Sequence, residues 1–195
     1  MISQQLIISG VGGQGILFIT RLLAETAMEK GLPVLTSETH GMAQRGGIVV
    51  SHMKIGDFTS PLVRPGQADG LLSLKGETVA LHRHFLRPEG WSVANSGSAE
   101  AALFTVDADT AALALGNPQA VNLIVLGRAL AEPGLLFCDR EEVVTALGTK
   151  LAAKPKLLEG ALAALEVGLK VISGKVSTIT NVTPAYMPRQ GCITK

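Results

Sequence analysis

Two short segments hold the residue types that could do chemistry. Gly10-Val11-Gly12-Gly13-Gln14-Gly15 places glycines in a G-x-G-x-x-G spacing. Such a turn lets backbone N–H groups approach an anion, and a helix opening there adds its positive end. With 22 glycines in 195 residues the string arises by chance about 0.3 times per chain, so context has to decide. Glu38 follows Gly15 by 23 residues, where a ribose-binding acid stands in a dinucleotide-binding fold. The bland reading is that the glycines only permit close helix–strand packing, with Glu38 solvated.

The second segment is Ser37-Glu38-Thr39-His40-Gly41-Met42-Ala43-Gln44-Arg45-Gly46-Gly47. It gathers a carboxylate, an imidazole, an amide, a guanidinium and three glycines in one polar loop. A segment of this kind is costly to order unless something binds it. Arg45 and the flanking glycine N–H groups suit an anion or a cofactor, whereas a solvated loop or a subunit contact is the alternative. The weaker signals give less. His82 and His84 stand two apart on an expected helix and so on different faces, unable to chelate. Lys75 ends an expected central strand on the ligand edge, although a solvated lysine explains it as well. Cys138, between Phe137 and Asp139, has no group beside it that would activate the thiol. Asn181-Val182-Thr183 matches a glycosylation acceptor only by chance if the protein is not exported.

Strands and helices have to position these loops. Leu6-Ile7-Ile8 reads as a strand buried on both faces, directly before the glycine turn. Ile16, Ile19, Leu23 and Ala27 then recur at helical spacing, with Arg21, Glu25 and Glu29 turned away. Gly31 caps this helix and Pro33 ends it. Residues 33–38 form a second strand, so the polar loop leaves its carboxyl end, the edge where open parallel sheets bind ligands. Residues 48–55 alternate as a strand with one wetter face. A turn at Gly56-Asp57 leads into a short strand over 58–60, ended by Pro61. Further strands are expected over 68–74, 91–95 and 103–106, with a helix over 77–86.

Beyond Asp107 the pattern is helical. Asp107 or Asp109 caps a short helix that Asn117-Pro118 breaks, and residues 120–130 are apolar nearly all round, as in a buried helix. Asp139 with Glu142 makes a capping box for the next helix. An amphipathic helix over 157–172 precedes an extended tail, 173–195. The expectation is a Rossmann-like α/β fold, an open and mostly parallel sheet over 1–107 with a helical part over 108–172, in one domain.

Composition excludes several classes. Seventeen basic and sixteen acidic residues make only 17% of the chain charged, against about 25% in a typical soluble domain. Apolar residues reach 47% and the mean hydropathy is +0.34. No apolar run reaches the roughly 18 residues of a membrane span, so no membrane partner is expected. A net charge of +1 with dispersed lysines gives no footprint for nucleic acid. Met1-Ile2-Ser3-Gln4-Gln5 lacks the basic start of a secretory signal, so a cytoplasmic protein with reduced thiols is expected. The charge deficit points to partner subunits covering part of the surface.

The two loops together resemble a known family, the gamma-type module of the 2-oxoacid:ferredoxin oxidoreductases. Arg45-Gly46-Gly47 is shared across that superfamily, and Glu38-Thr39-His40-Gly41-Met42-Ala43-Gln44 looks like its indolepyruvate branch. The likeness continues through Ser51-His52, Ile55-Gly56-Asp57, Ala68-Asp69-Gly70 and Asn122 to Gly127, and covers essentially the whole chain. The resemblance implies a non-autonomous small subunit beside a large (alpha) catalytic subunit. The family oxidises an aryl 2-oxoacid with coenzyme A to an acyl-CoA, carbon dioxide and reduced ferredoxin. Its thiamine diphosphate and [4Fe–4S] clusters would belong to the large subunit. Two cysteines, Cys138 and Cys192, are too few for a cluster, and no Gly-Asp-Gly opens a thiamine diphosphate motif. Carried over by position, the contacts to coenzyme A or to the assembly are Gly10, Gly12, Gly13, Gln14, Gly15, Glu38, Thr39, His40, Gln44, Arg45, Gly46 and Gly47. No metal ligand and no catalytic residue is expected in this chain.

Overall fold

The apolar run near the start becomes strand β1 (Gln4–Val11), buried at every residue but the last. A computed structural model of the chain describes residues 2–40, 46–98 and 102–171. Helix α1 (Ile16–Glu29) follows, burying Ile16, Ile19, Leu22, Leu23 and Ala27. Gly31 at φ 68° takes the left-handed position that ends it, and its N–H donates to the Met28 carbonyl. Then come β2 (Val34–His40), β3 (Ile48–Ile55), β4 (Ala68–Ser73), helix α2 (Glu77–His82), a 3-10 turn (Arg83–Phe85), β5 (Leu86–Asn95) and β6 (Phe104–Val106). The helical part comprises α3 (Ala108–Ala114), α4 (Val121–Leu130), α5 (Arg140–Lys150) and α6 (Pro155–Lys170).

The six strands are ordered β2-β3-β1-β4-β5-β6. β1, β4, β5 and β6 pair in parallel, and β3 runs antiparallel to both neighbours. The expected open, mostly parallel sheet is therefore present, with one reversed strand inserted beside the centre. One face packs Leu6, Ile8, Met53, Ile55, Leu72 and Val93 against α1 and α4 in the main core. α4 is buried from Val121 to Ala129, as an apolar surface on all sides requires. It lies directly on α6, and Gly127 and Gly168 bring the two backbones into contact. Asp107 caps α3 by accepting the Thr110 N–H, and Asp139 with Glu142 forms the expected capping box on α5.

Three expectations are corrected. Residues 58–60 form no strand, because Gly56 at φ 111° turns the chain and its carbonyl accepts the Phe58 N–H across a tight bend. The expected helix over 77–86 stops at His82 and tightens into the 3-10 turn, while β5 begins at Leu86 rather than at Trp91. The second face of β3 is not wet. His52 and Lys54 are both buried there, His52 against Phe85 and beside Val63, and Lys54 with its Nζ 5.1 Å from the Phe58 ring centre. The extended tail expected over 173–195 lies outside the described residues.

His52 carries a testable consequence. It is 6% exposed, its Nδ1 accepts the Val63 N–H at 3.3 Å, and its ring meets Phe85 edge-on. Burial lowers its pKa from the ordinary 6.5, and His82 and Lys54 lower it further. Burial also lowers the pKa of His82, and the backbone contact to Thr78 opposes that shift. The unfolded chain thus binds more protons than the folded one just below that ordinary value, so stability is complete above it and is lost as pH falls toward the depressed folded pKa. The denaturation midpoint is expected to fall from pH 7.5 to 5.5, with both values set by the experimenter around the histidine range of about 6.5. His52→Asn keeps an acceptor for Val63 and removes one titration, so it should flatten that slope. An equal slope in the variant would remove His52 as its source.

Candidate functional site

The carboxyl ends of β1, β2, β4, β5 and β6 lie along one edge of the sheet, and the glycine turn sits in its middle. β1 connects to one side through α1 and β2, and β4 lies on the other side, so the turn occupies the topological switch point. The two motifs that are far apart in sequence meet there: the Gly12 N–H donates to the Gly47 carbonyl at 2.9 Å. This bond extends the β1–β3 ladder, whose last pairs are Gly10 with Val49 and Val11 with Ile48. Gly12, Gly13 and Gly46 are exposed, and Gly13 (φ 100°), Gly15 (φ 82°) and Gly46 (φ 103°) hold left-handed conformations that favour glycine.

Gln14 is engaged within the protein. Its Oε1 accepts the Val11 N–H at 2.8 Å and its Nε2 donates to the Leu74 carbonyl at 3.0 Å. The carboxamide clamps the turn onto the end of β4. Gly10 makes room for it, because a Cβ there would stand 2.7 Å from Oε1. Asn95, which the sequence reading passed over, donates to the same Leu74 carbonyl at 3.2 Å and accepts the Ala108 N–H at 2.9 Å. Two carboxamides therefore tie the ends of β1, β4 and β5 and the start of α3 through one carbonyl. Beside them the Lys75 carbonyl accepts from Ser73 Oγ at 2.6 Å and Thr78 Oγ1 at 2.9 Å, holding the next turn. The Lys75 side chain, half-buried, has no ion pair among those of the described residues.

The second segment is reached only in part. Glu38 and exposed Thr39 stand near the carboxyl end of β2, and His40 is its last residue. Gln44 and Arg45, with residues 41–43, lie outside the described residues. β3 separates β2 from β1, so Glu38 pairs with Ser51 and stands two strand spacings, about 10 Å, from β1. An acid that holds ribose in a dinucleotide-binding fold stands on the adjacent strand, half as far away.

The remaining chemistry is sparse. Cys138 is buried and its thiol is pushed up to about 12, mainly by burial, so it is neither a nucleophile nor a ready cluster ligand. Among the described residues no group of three or more His, Cys, Asp or Glu could hold a metal ion, and no helix is long and apolar enough to cross a membrane. His82 and His84 both lie against the Phe85 ring, with centroids 6.4 and 4.2 Å away.

Sheet order and glycine turn define the class: a Rossmann-like α/β module with a glycine turn at its switch point. The chain belongs to the pyruvate ferredoxin/flavodoxin oxidoreductase family, whose model matches residues 5–171. It is 31% identical to the indolepyruvate oxidoreductase subunit IorB of Archaeoglobus fulgidus, over 89% of this chain and 98% of that one. Its likeness to the subunit of the same name from Thermococcus kodakarensis is 27%, over 85% and 94% of the two chains. Among solved structures, the gamma subunit of a keto/oxoacid ferredoxin oxidoreductase from Geobacter sulfurreducens superposes with a TM-score of 0.66 at 23% identity, over 85% of this chain and 96% of that one. The 2-oxoglutarate:ferredoxin oxidoreductase from Magnetococcus marinus, solved with 2-oxoglutarate, coenzyme A and succinyl-CoA bound, gives 0.72 at 20% identity over 89% of this chain. This chain spans about a third, 32%, of that longer one.

Proposed function

We propose that this chain is the small subunit of an indolepyruvate- or arylpyruvate-oxidising 2-oxoacid:ferredoxin oxidoreductase. The observation that carries the reading is its end-to-end likeness to the subunit IorB of Archaeoglobus fulgidus. The larger partner subunit holds thiamine diphosphate and the [4Fe–4S] clusters, decarboxylates the 2-oxoacid and passes electrons to ferredoxin. The acyl group leaves on coenzyme A. A buried, protonated Cys138 supports placing the clusters elsewhere. In this reading the switch-point edge, with Gly10, Gly12, Gly13 and Gly15 joined by Glu38, Thr39, His40, Gln44, Arg45, Gly46 and Gly47, contacts coenzyme A or the partner. Gln14 shapes that edge from within.

The test is reconstitution with the large subunit. Purified together, the two chains are expected to reduce ferredoxin with indolepyruvate and coenzyme A, and neither chain does so alone. Turnover by this chain alone, or an assembled pair inert toward every arylpyruvate tried, would overturn the reading.

A further inference from the structure

The helices are divided unequally between the two faces of the sheet. α1, α3, α4, α5 and α6 all contribute to the main core on one face, whereas the smaller core on the other is built from Ile7, Val63, Ala68, Leu71, Val79 and Ala94. Its cover comes from α2, six residues long, the 3-10 turn and the loop between β3 and β4. Two leucines on this thin cover turn outward: Leu62 is 52% exposed and Leu81 is 50% exposed. They border one centre. The Val63 N–H donates to His52, the His52 ring meets Phe85 edge-on, and His84 lies against Phe85 while its Nδ1 donates to the Leu81 carbonyl at 2.9 Å. The Gly66 N–H donates to the His84 carbonyl at 3.0 Å and so ties the loop to the turn.

Charge of one sign prevails around the leucines. Lys54, Arg64, Lys75, Arg83 and Arg87 face three carboxylates over residues 52–87, namely Asp57, Asp69 and Glu77, a surplus of two in a chain whose net charge is +1. Asp69 is committed to Arg87 at 2.8 Å, and three of the four histidines of the chain stand in the same stretch. Lys54, Arg64 and Arg83 have no ion pair among the described residues. Lys54 is only 8% exposed, with its ammonium 5.1 Å from the Phe58 ring centre. Burial lowers its pKa, and Arg64 lowers it further. A nearly buried ammonium beside a guanidinium is stabilised by a carboxylate brought from outside. A second copy of this chain does not supply one, because the patch meeting itself sets cation against cation. Leu62 and Leu81 call for apolar partner atoms, which a nucleic acid backbone lacks.

We propose that the sheet face under α2 and the 3-10 turn is a docking surface for a protein that sets carboxylates around apolar side chains. Leu62 and Leu81 are its apolar anchors, and Lys54, Arg64 and Arg83 select the charge of the partner. The identity of that partner as the large subunit rests on the function proposed above, and the patch itself does not.

The experiment measures the affinity of the full-length chain for the purified large subunit by surface plasmon resonance, at low and at raised salt. Arg64→Glu combined with Arg83→Glu is expected to weaken binding about tenfold or more and to flatten its salt dependence, since salt screens exposed charges. Leu81→Ser removes an anchor and is expected to speed dissociation about tenfold. Lys156→Glu and Leu157→Ser, similarly exposed on α6 at the main-core side, are the controls and should bind as the parent does. All of these positions are exposed, so the variants keep the fold. Parent affinity in both patch variants, or an equal loss in the controls, overturns the proposal. Phosphatidylserine vesicles that bind the parent and release the patch variants, with affinity for the large subunit unchanged, would assign the face to a lipid surface and overturn it as well. Patch variants that bind like the parent in a pair that turns over leave the subunit reading intact. Weakened binding in those variants, with a parent pair inert toward every arylpyruvate tried, does the reverse.

Discussion

Gly168→Ala is expected to lower the stability of the chain by about 3 kcal/mol, the upper end of ordinary overpacking costs. At Gly168 a Cβ would overlap the Ile124 carbonyl and stand 2.8 Å from the Arg128 nitrogen and 2.9 Å from the Gly127 Cα. All three are backbone atoms of α4, so no side chain can rotate away, and the two helices have to separate. That separation opens the centre of the main core, where Ile124, Val125, Ala164 and Leu165 are buried. For a chain of this length the cost corresponds to a fall in melting temperature of about 6–12 °C. Gly148→Ala in α5 supplies the control: nothing lies within 4 Å of its added Cβ. There the gain in helix propensity should raise stability by as much as about 1 kcal/mol. Differential scanning calorimetry of both variants decides the matter, and a Gly168→Ala melt equal to that of the parent would refute the close crossing.

Gln14→Ala is expected to loosen the candidate site while leaving the rest of the fold in place. It removes the acceptor for the Val11 N–H and one of the two donors to the Leu74 carbonyl. Leu74 keeps Asn95, so the main loss is an unmatched Val11 N–H at a half-buried position. A loss of about 2 kcal/mol corresponds to a roughly thirtyfold shift in local opening. Because the Gly12–Gly47 bond depends on the position of the turn, hydrogen exchange at Val11 and Gly12 should accelerate by about that factor. Exchange at Leu71 and Leu72, in the middle of β4, should change much less. Gln14→Glu separates the two halves of the clamp, since it retains an acceptor for Val11 and has no N–H for Leu74. Unaltered exchange at Val11 and Gly12 in Gln14→Ala would mean that the turn is held by its glycines alone.

Much of the fold was legible because it is written in local patterns. The spacing of Ile16, Ile19, Leu23 and Ala27 specifies a buried helix face, and the Asp139–Glu142 pair specifies the cap of α5. The apolar run that became α4 announces its own burial. The errors arose where a local pattern had more than one solution. His52 and Lys54 alternate with apolar residues as on a half-wet strand, yet Phe85 and Phe58, from later segments, cover them. The place of Gln14 in the glycine turn gives no hint that its carboxamide also bonds a carbonyl 60 residues further along the chain.

The sequence by itself therefore determined most of the elements, the glycine turn, the helix caps and the family, because each depends on neighbours a few residues apart or on a contiguous string. Only the tertiary structure decided that β3 inserts between β1 and β2, setting Glu38 two strands from the turn. It alone showed that Gly12 meets Gly47, that Gln14 bonds to Leu74, and that Asn122 reaches Gly15. These are contacts between segments far apart in the chain, fixed by the packing of buried surface. No local periodicity encodes which distant partner a buried amide will find.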